Sequence, residues 1–412
     1  MNILTILFLA ALALSLTVQW YLLRRHVRYV KQNRSTVPEA FRDCIGLEAH
    51  QLAADYTCAK SRTGMVESVI GVVVLLIWTL GGALQQLDMF WRDLRLPSLW
   101  TGVLFILSVM LLSMLIDIPT SLYRTFVLEQ RFGFNKTTAS VFVSDLFKST
   151  ALTILIGTPM VALVLWIMNH AGTRWWLYVW LAWFLFSLTM MWAYPAFIAP
   201  LFNKFRPLQD LDLKARVEAL LSRNGFASQG IFVMDGSTRS SHGNAYFTGL
   251  GANKRIVFFD TLIKDLSHAE IEAVLAHELG HFKRNHIKKR IVLTGLLSLA
   301  GLAVLGWLIR MPWFYHGLGV ENASDYMALT LFVMAAPVFT FMAQPLFSFL
   351  SRRHEFEADE FAAAQALRDD LVHALVKMYK ENANTLTPDP WYSAFYDSHP
   401  PAPIRIAHLE RV

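Results

Sequence analysis

Residues 267–281 read Ser267-His268-Ala269-Glu270-Ile271-Glu272-Ala273-Val274-Leu275-Ala276-His277-Glu278-Leu279-Gly280-His281. Ser267 and Glu270 form an S-x-x-E capping box, and Ile271, Val274 and Leu275 then recur at helical spacing, so a helix is expected whatever its polar residues do. On that helix His277 and His281, four apart, lie on one face and can hold a single Zn²⁺, with Glu278 beside them to take a proton from water. The pattern points to zinc-dependent peptide hydrolysis.

A third protein ligand has to come from elsewhere, and Ser351-Arg352-Arg353-His354-Glu355-Phe356-Glu357-Ala358-Asp359 offers it. There Glu355 and Asp359 are one helical turn apart on a shared face. Glu355 as ligand with Asp359 behind it gives a His₂Glu site whose fourth position stays open for water. His286 follows His281 by five positions rather than the six of a three-histidine motif, and Arg284 stands where that motif has glycine, so His286 is not expected to be a ligand. His354 points off the Glu355 face, and His242 reads as a polar turn residue.

Around this site the chain is apolar. Its 412 residues are 55% hydrophobic and only 17% charged, against about 25% charged in ordinary soluble domains. Apolar runs near the roughly 20 residues that cross a bilayer cover residues 2–23, 66–84, 99–123, 151–168, 175–194, 291–309 and 327–350. The expected fold is therefore predominantly α, a polytopic membrane protein with about seven transmembrane helices. The first run lacks a basic start and leads at once into Trp20, Tyr21, Arg24 and Arg25, which suits a retained anchor rather than a cleaved signal.

Arg24, Arg25, Arg28, Lys31, Arg34, Arg42, Lys60 and Arg62 follow the first run, and Arg124, Arg131, Lys136 and Lys148 follow the third. The alternate loops offer only Arg92, Arg95, Arg174 and Arg310. By the positive-inside rule the amino terminus lies outside and the loop bearing His277 lies in the cytoplasm. The net charge of +6 follows from this asymmetry, so no nucleic-acid partner is expected; the bilayer is. Cys44 and Cys58 fall on the cytoplasmic side and read as ordinary thiols.

The expected organisation is four segments: residues 1–197 with the first five spans, a cytoplasmic zinc-protease insertion at 198–290, two further spans at 291–350, and a cytoplasmic tail at 351–412 with the third ligand. Within the insertion a polar helical pattern at 211–224 precedes strand-like runs at 230–234, 244–248 and 255–260, with Gly249, Gly251 and Asn253 turning between the last two. Peptides commonly bind such proteases as an added strand, and Asn244-Ala245-Tyr246 is where that edge is expected; a plain structural hairpin is the alternative reading of the same residues.

Several stretches together resemble the type I CAAX prenyl proteases, integral-membrane zinc metalloendopeptidases. They are 277–281 and Glu355-Phe356-Glu357-Ala358-Asp359; Ser240-Ser241-His242-Gly243-Asn244-Ala245-Tyr246-Phe247 followed by Lys254-Arg255-Ile256-Val257; His399-Pro400-Pro401; and the non-catalytic Phe132-Gly133-Phe134-Asn135-Lys136 and Tyr194-Pro195-Ala196-Phe197. The resemblance implies seven helices around a water-filled chamber, capped on the cytoplasmic side by a small α+β gluzincin-type zinc domain. It implies one Zn²⁺ per chain on His277, His281 and Glu355, with Glu278 as general base and acid and Asp359 orienting the ligands. It also implies Asn244 and Ala245 along the substrate strand, and His399 with Arg405 supporting the transition state.

The partner implied is a peptide or protein substrate, prenylated in the eukaryotic members, and a monomer is compatible with the site. The compact length and a tail without a basic retrieval-like ending point to a bacterial member in the inner membrane, the endoplasmic reticulum being the alternative. Proteolysis of membrane-associated proteins in quality control is the job expected there. A transporter with a regulatory metal site accommodates seven spans and the intramembrane Asp117, but gives no reason for Glu278 between two histidines. A client-binding scaffold with a non-catalytic zinc site would show a decayed constellation, whereas every catalytic residue type is present.

Overall fold

The computed structural model describes residues 2–226, 230–248 and 255–411; Gly249, Gly251, Asn253 and Lys254 lie outside them. Seven helices among the described residues are long and apolar enough to cross a bilayer: Ile3–Gln32, Leu47–Trp78, Ser98–Glu129, Ala139–His170, Gly172–Phe202, His286–Leu308 and Asp325–Gln365. All seven apolar runs are thus helical. Most of the helices outrun them because basic and polar turns extend the helix beyond the hydrocarbon, which hydropathy alone does not register.

One run ends early. Residues 66–84 stay apolar, yet the second span stops at Trp78, because Gly82 turns the chain at φ 80° before a separate helix, Ala83–Asp93. A left-handed backbone at no steric cost is available to glycine, and there it overrides hydropathy.

The spans meet along narrow seams. At most 33% of any span's most apolar window is buried within the protein, and none of the fifth span's is, so most of each span's surface is free to face lipid or an internal space. Where they do close, at the end remote from the histidines, Phe8, Leu84, Phe105, Leu165 and Met327 form a fully buried apolar cluster.

The segment between the fifth and sixth spans builds a four-stranded sheet: β1 (Phe205–Pro207), β2 (Ile231–Met234), β3 (Ala245–Thr248) and β4 (Arg255–Phe259), in the order β1-β2-β4-β3. The expected pairing of the last two strands is present, antiparallel, with Ala245 opposite Phe258. Two features were not expected: β1, only three residues long, and the parallel pairing of β2 with β4. The helix Leu211–Arg223 and the helix His268–Lys283 pack around a core of Leu213, Val217, Phe258, Ile271 and Leu275. Each of these buried side chains contributes about 1.5–3 kcal/mol relative to exposure. The order leaves β3 on an outer edge of the sheet.

Candidate active site

Helix His268–Lys283 begins as its sequence dictates. Glu270 N donates to Ser267 Oγ at 3.3 Å, and Ser267 N donates to Glu270 Oε2 at 2.7 Å, closing the capping box. The helix stops before Asn285, whose left-handed φ of 58° suits asparagine, and the sixth span starts at His286. The histidine pair therefore stands one turn away from a membrane helix. Glu355 and Asp359 lie on Gln344–Gln365, which continues the seventh span. A helix abutting the sixth span and the extension of the seventh span thus deliver the polar groups of one site to each other.

His277 and His281 face Glu355. Their Nε2 atoms are 3.3 Å apart, His277 Nε2 is 3.4 Å from Glu355 Oε2, and His281 Nε2 is 3.4 Å from Glu355 Oε1. Ligand atoms ~2.0–2.1 Å from a tetrahedrally held Zn²⁺ lie about 3.3–3.4 Å from each other. The three side chains thus stand at the separations such an ion imposes. Glu355 Oε2 is buried and accepts no hydrogen bond, a lone pair in need of a cation. The residues present fit a metal.

Behind the ligands, His277 Nδ1 lies 2.8 Å from Asp359 Oδ1, which fixes the ring so that Nε2 points at the cluster. Arg405 is buried and donates to both oxygens of Asp359, with Nε 2.8 Å from Oδ2. Its Nη1 is 3.8 Å from Glu355 Oε2. Its helix Ala402–Leu409 buries the face that carries Arg405, which packs the guanidinium against Asp359 on the Nδ1 side of His277.

His399 stands opposite, largely exposed, with Nε2 3.5 Å from Glu355 Oε1 and Nδ1 3.0 Å from Ser398 Oγ. Glu278, His281, Glu355 and His399 line one cavity of about 770 Å³, which reaches Tyr246 and Phe247 of β3. Phe259 N donates to Asn244 O at 3.0 Å, so strand alternation turns the amide and carbonyl of Ala245 outward to the free edge. Asn244 Oδ1 accepts from Ala245 N at 2.8 Å.

Burial pushes the Glu278 carboxyl above the ordinary carboxylate range; the charges at His277 and Arg405 oppose this, and Glu355 adds to it. Burial pulls His281 down to about 4, which keeps it neutral and ligand-ready. For His277, burial and Arg405 push down, but the Asp359 and Glu355 carboxylates prevail and hold the ring up at about 9.

Residues 26–204 match the family described as CAAX prenyl protease N-terminal, five membrane helices, and residues 207–412 match peptidase family M48. The chain belongs to peptidase family M48. It is a membrane metalloprotease of the CAAX prenyl protease kind. It is 36% identical over 387 residues to the CAAX prenyl protease 1 homolog of Arabidopsis thaliana, covering 91% of this chain and 90% of the relative. To CAAX prenyl protease 1 of Saccharomyces cerevisiae it is 33% identical over 411 residues, covering 93% and 91%. The crystal structure of S. mikatae Ste24p superposes with a TM-score of 0.92 at 31% identity over 99% of each chain. The family, the seven-span fold and the metalloprotease activity expected from sequence are thereby shown.

Two contributors to this M48 site escaped the sequence reading. His286 is not in the ligand cluster, but its Nδ1 lies 3.0 Å from His281 Nδ1 and its Nε2 3.0 Å from Glu357 Oε2, so it steadies the second histidine as Asp359 steadies the first. Glu357's place between Glu355 and Asp359 was the available signal. The other is Gly280. A Cβ there would meet Ala358 Cα at 3.0 Å and its carbonyl oxygen at 3.1 Å, so the absence of a side chain lets the two ligand-bearing helices touch. Gly280→Val is expected to cost about 1–3 kcal/mol by overpacking and to weaken metal binding. Thermal unfolding in detergent and a metal titration read the two effects.

The His277 surroundings carry a pH consequence. A ring held at about 9 is protonated at pH 7 in the metal-free protein, while a metal ligand must be neutral. Metal binding at pH 7 is expected to release about one proton from the site, and apparent affinity to rise with pH until about 9. Titration calorimetry in buffers of different ionisation enthalpy counts that proton.

Proposed function

We propose that this chain is a zinc endopeptidase that cleaves CAAX-type carboxyl-terminal peptides, prenylated ones foremost, with other membrane-associated proteins as further substrates. His277, His281 and Glu355 hold the zinc, and the observation that carries this is their mutual spacing beside the orphaned Glu355 oxygen. Bound zinc supplies Lewis acidity, making water acidic enough to be deprotonated near neutrality and polarising a carbonyl.

The chain's own residues do the rest. The free edge of β3, through Ala245 with Asn244 beside it, holds the peptide extended. Glu278 takes a proton from the attacking water and returns it to the leaving amine; a carboxyl raised by burial is suited to both directions. His399 donates to the oxygen that gains charge. Asp359 and Arg405 keep His277 and Glu355 aimed. Leu293, Leu297, Phe347 and Leu350 line the same cavity on the membrane side, an apolar wall that suits a lipid group beside the scissile bond.

The basic residues after the first and third spans support a site on the cytoplasmic face with the amino terminus outside. The organisation that goes with this reading keeps the four segments divided at residues 197, 290 and 350. The relatives' names concern CAAX proteins, and that substrate class is tested by incubating detergent-purified protein with matched peptides, prenylated and plain, with and without a chelator. Chelator-sensitive cleavage favouring the prenylated peptide is expected. Preference for plain peptide would remove the prenyl assignment.

A further inference from the structure

We propose that a second cavity, beyond the amino end of β3, receives the free carboxylate at a substrate's carboxyl terminus, with the Lys60 ammonium as its counter-charge. This rests on the peptidase reading above and adds a subsite to it.

The second cavity measures about 490 Å³ and is walled by Tyr56, Lys60 and Ser61 of the second span and by Tyr396, Ser398 and His399 of the tail, within the ~300–1,000 Å³ of ordinary ligand sites. Ser398 and His399 also wall the catalytic cavity. The two spaces therefore adjoin at the residue assigned to the reacting carbonyl, and a peptide cut beside His399 extends into both.

Strand direction says which end goes where. Gly243 N, just before β3, donates to Asn382 Oδ1 at 3.1 Å, and the next residues, Ala383 and Asn384, line the second cavity. The cavity is therefore at the amino end of β3, while Tyr246 and Phe247 border the catalytic one. A peptide added antiparallel, the commoner sense of strand pairing, places its carboxyl end at the amino end of the strand it joins. Its leaving fragment then enters the second cavity, and its amino-side residue faces the apolar wall of Leu293 and Phe347.

Charge agrees. Lys60 is exposed to this cavity, its ammonium 4.8 Å from the Tyr56 ring centroid, and no carboxylate among the described residues lies within 4.0 Å of it. Tyr56 is fixed by donating to Glu129 Oε1 at 2.6 Å, so the platform under the ammonium is rigid. The lining also holds one carboxylate, Asp397. Burial favours its neutral form, while the nearby Arg352 and His399 favour its charged form, and Arg352 Nη1 donates to its backbone carbonyl, not its carboxylate, at 2.8 Å. The catalytic cavity has cations of its own, Lys289 and Arg290; these would face the carboxylate only if the peptide ran parallel to β3.

The test uses the full-length detergent-purified protein and two prenylated peptides that differ only in a free-acid or amidated carboxyl terminus. The amide is expected to show a KM about tenfold above the acid, the order of one charge-assisted hydrogen bond. Lys60→Met is expected to bring the two KM values together, and Lys60→Arg to keep them apart; zinc content of each variant reports folding. Equal KM values in the unmodified protein overturn the proposal. So does a preference that survives Lys60→Met or disappears only in Arg290→Met. Failure of the peptidase reading looks different, with no chelator-sensitive cleavage of either peptide, and the subsite falls with it.

Discussion

Glu278→Ala is expected to lower kcat by about 10²–10⁴-fold, the range for loss of a general acid–base group, while the protein keeps its metal. The two effects separate because Glu278 lies outside the ligand cluster of His277, His281 and Glu355 yet lines the same cavity. Removing it leaves the three ligand separations untouched and takes away the group that moves the proton. Its half-buried setting, which raises the carboxyl, gives a second readout. Glu278→Asp withdraws the carboxylate by a methylene and is expected to retain part of the activity. Steady-state kinetics on a fluorogenic CAAX peptide, with elemental analysis of the same samples, checks both. An active Glu278→Ala protein would remove the proton-transfer role.

Arg405→Leu is expected to destabilise the protein by about 3–5 kcal/mol, the cost of leaving one member of a buried ion pair without its partner. Asp359 is fully buried, and both its oxygens are held by Arg405 while Oδ1 also holds His277 Nδ1. Without the guanidinium that carboxylate stays desolvated and uncompensated. The ring it orients loses its aim, so metal affinity falls as well, by about 10–100-fold. Arg405→Leu combined with Asp359→Leu is expected to recover part of the stability, because no buried charge is then unpaired, but not the metal affinity. Thermal denaturation and metal titration of the three variants form the cycle. Recovery of metal affinity in the double variant would contradict the orienting role.

The parts legible in the sequence are those with a period. The seven spans could be found because each is apolar over a bilayer's width, and the helix at 268–283 because its cap and its apolar spacing are local. Glu355 and Asp359 could be paired because four residues on a helix mean one face. What escaped depends on contacts between distant segments. A three-residue strand ending in Pro207 carries no alternation to read. Parallel pairing of β2 with β4 joins strands that a hairpin reading never brings together. Gly280 looks like one more weak helix former until Ala358 is packed on it. Arg405 carries no local signal of its partner, and only the packing of its helix against Gln344–Gln365 shows its guanidinium on Asp359.

The site rests on the statement that residues from two membrane-anchored helices converge on one zinc ion. Elemental analysis of protein purified from membranes, unmodified and as Glu355→Ala, tests it most directly. The expected result is one zinc per chain in the unmodified protein and a near-complete loss in the variant, which keeps both histidines but not the carboxylate between them. Zinc retained at full stoichiometry by a folded Glu355→Ala protein, or an unmodified protein that cleaves peptide without any metal, would contradict it.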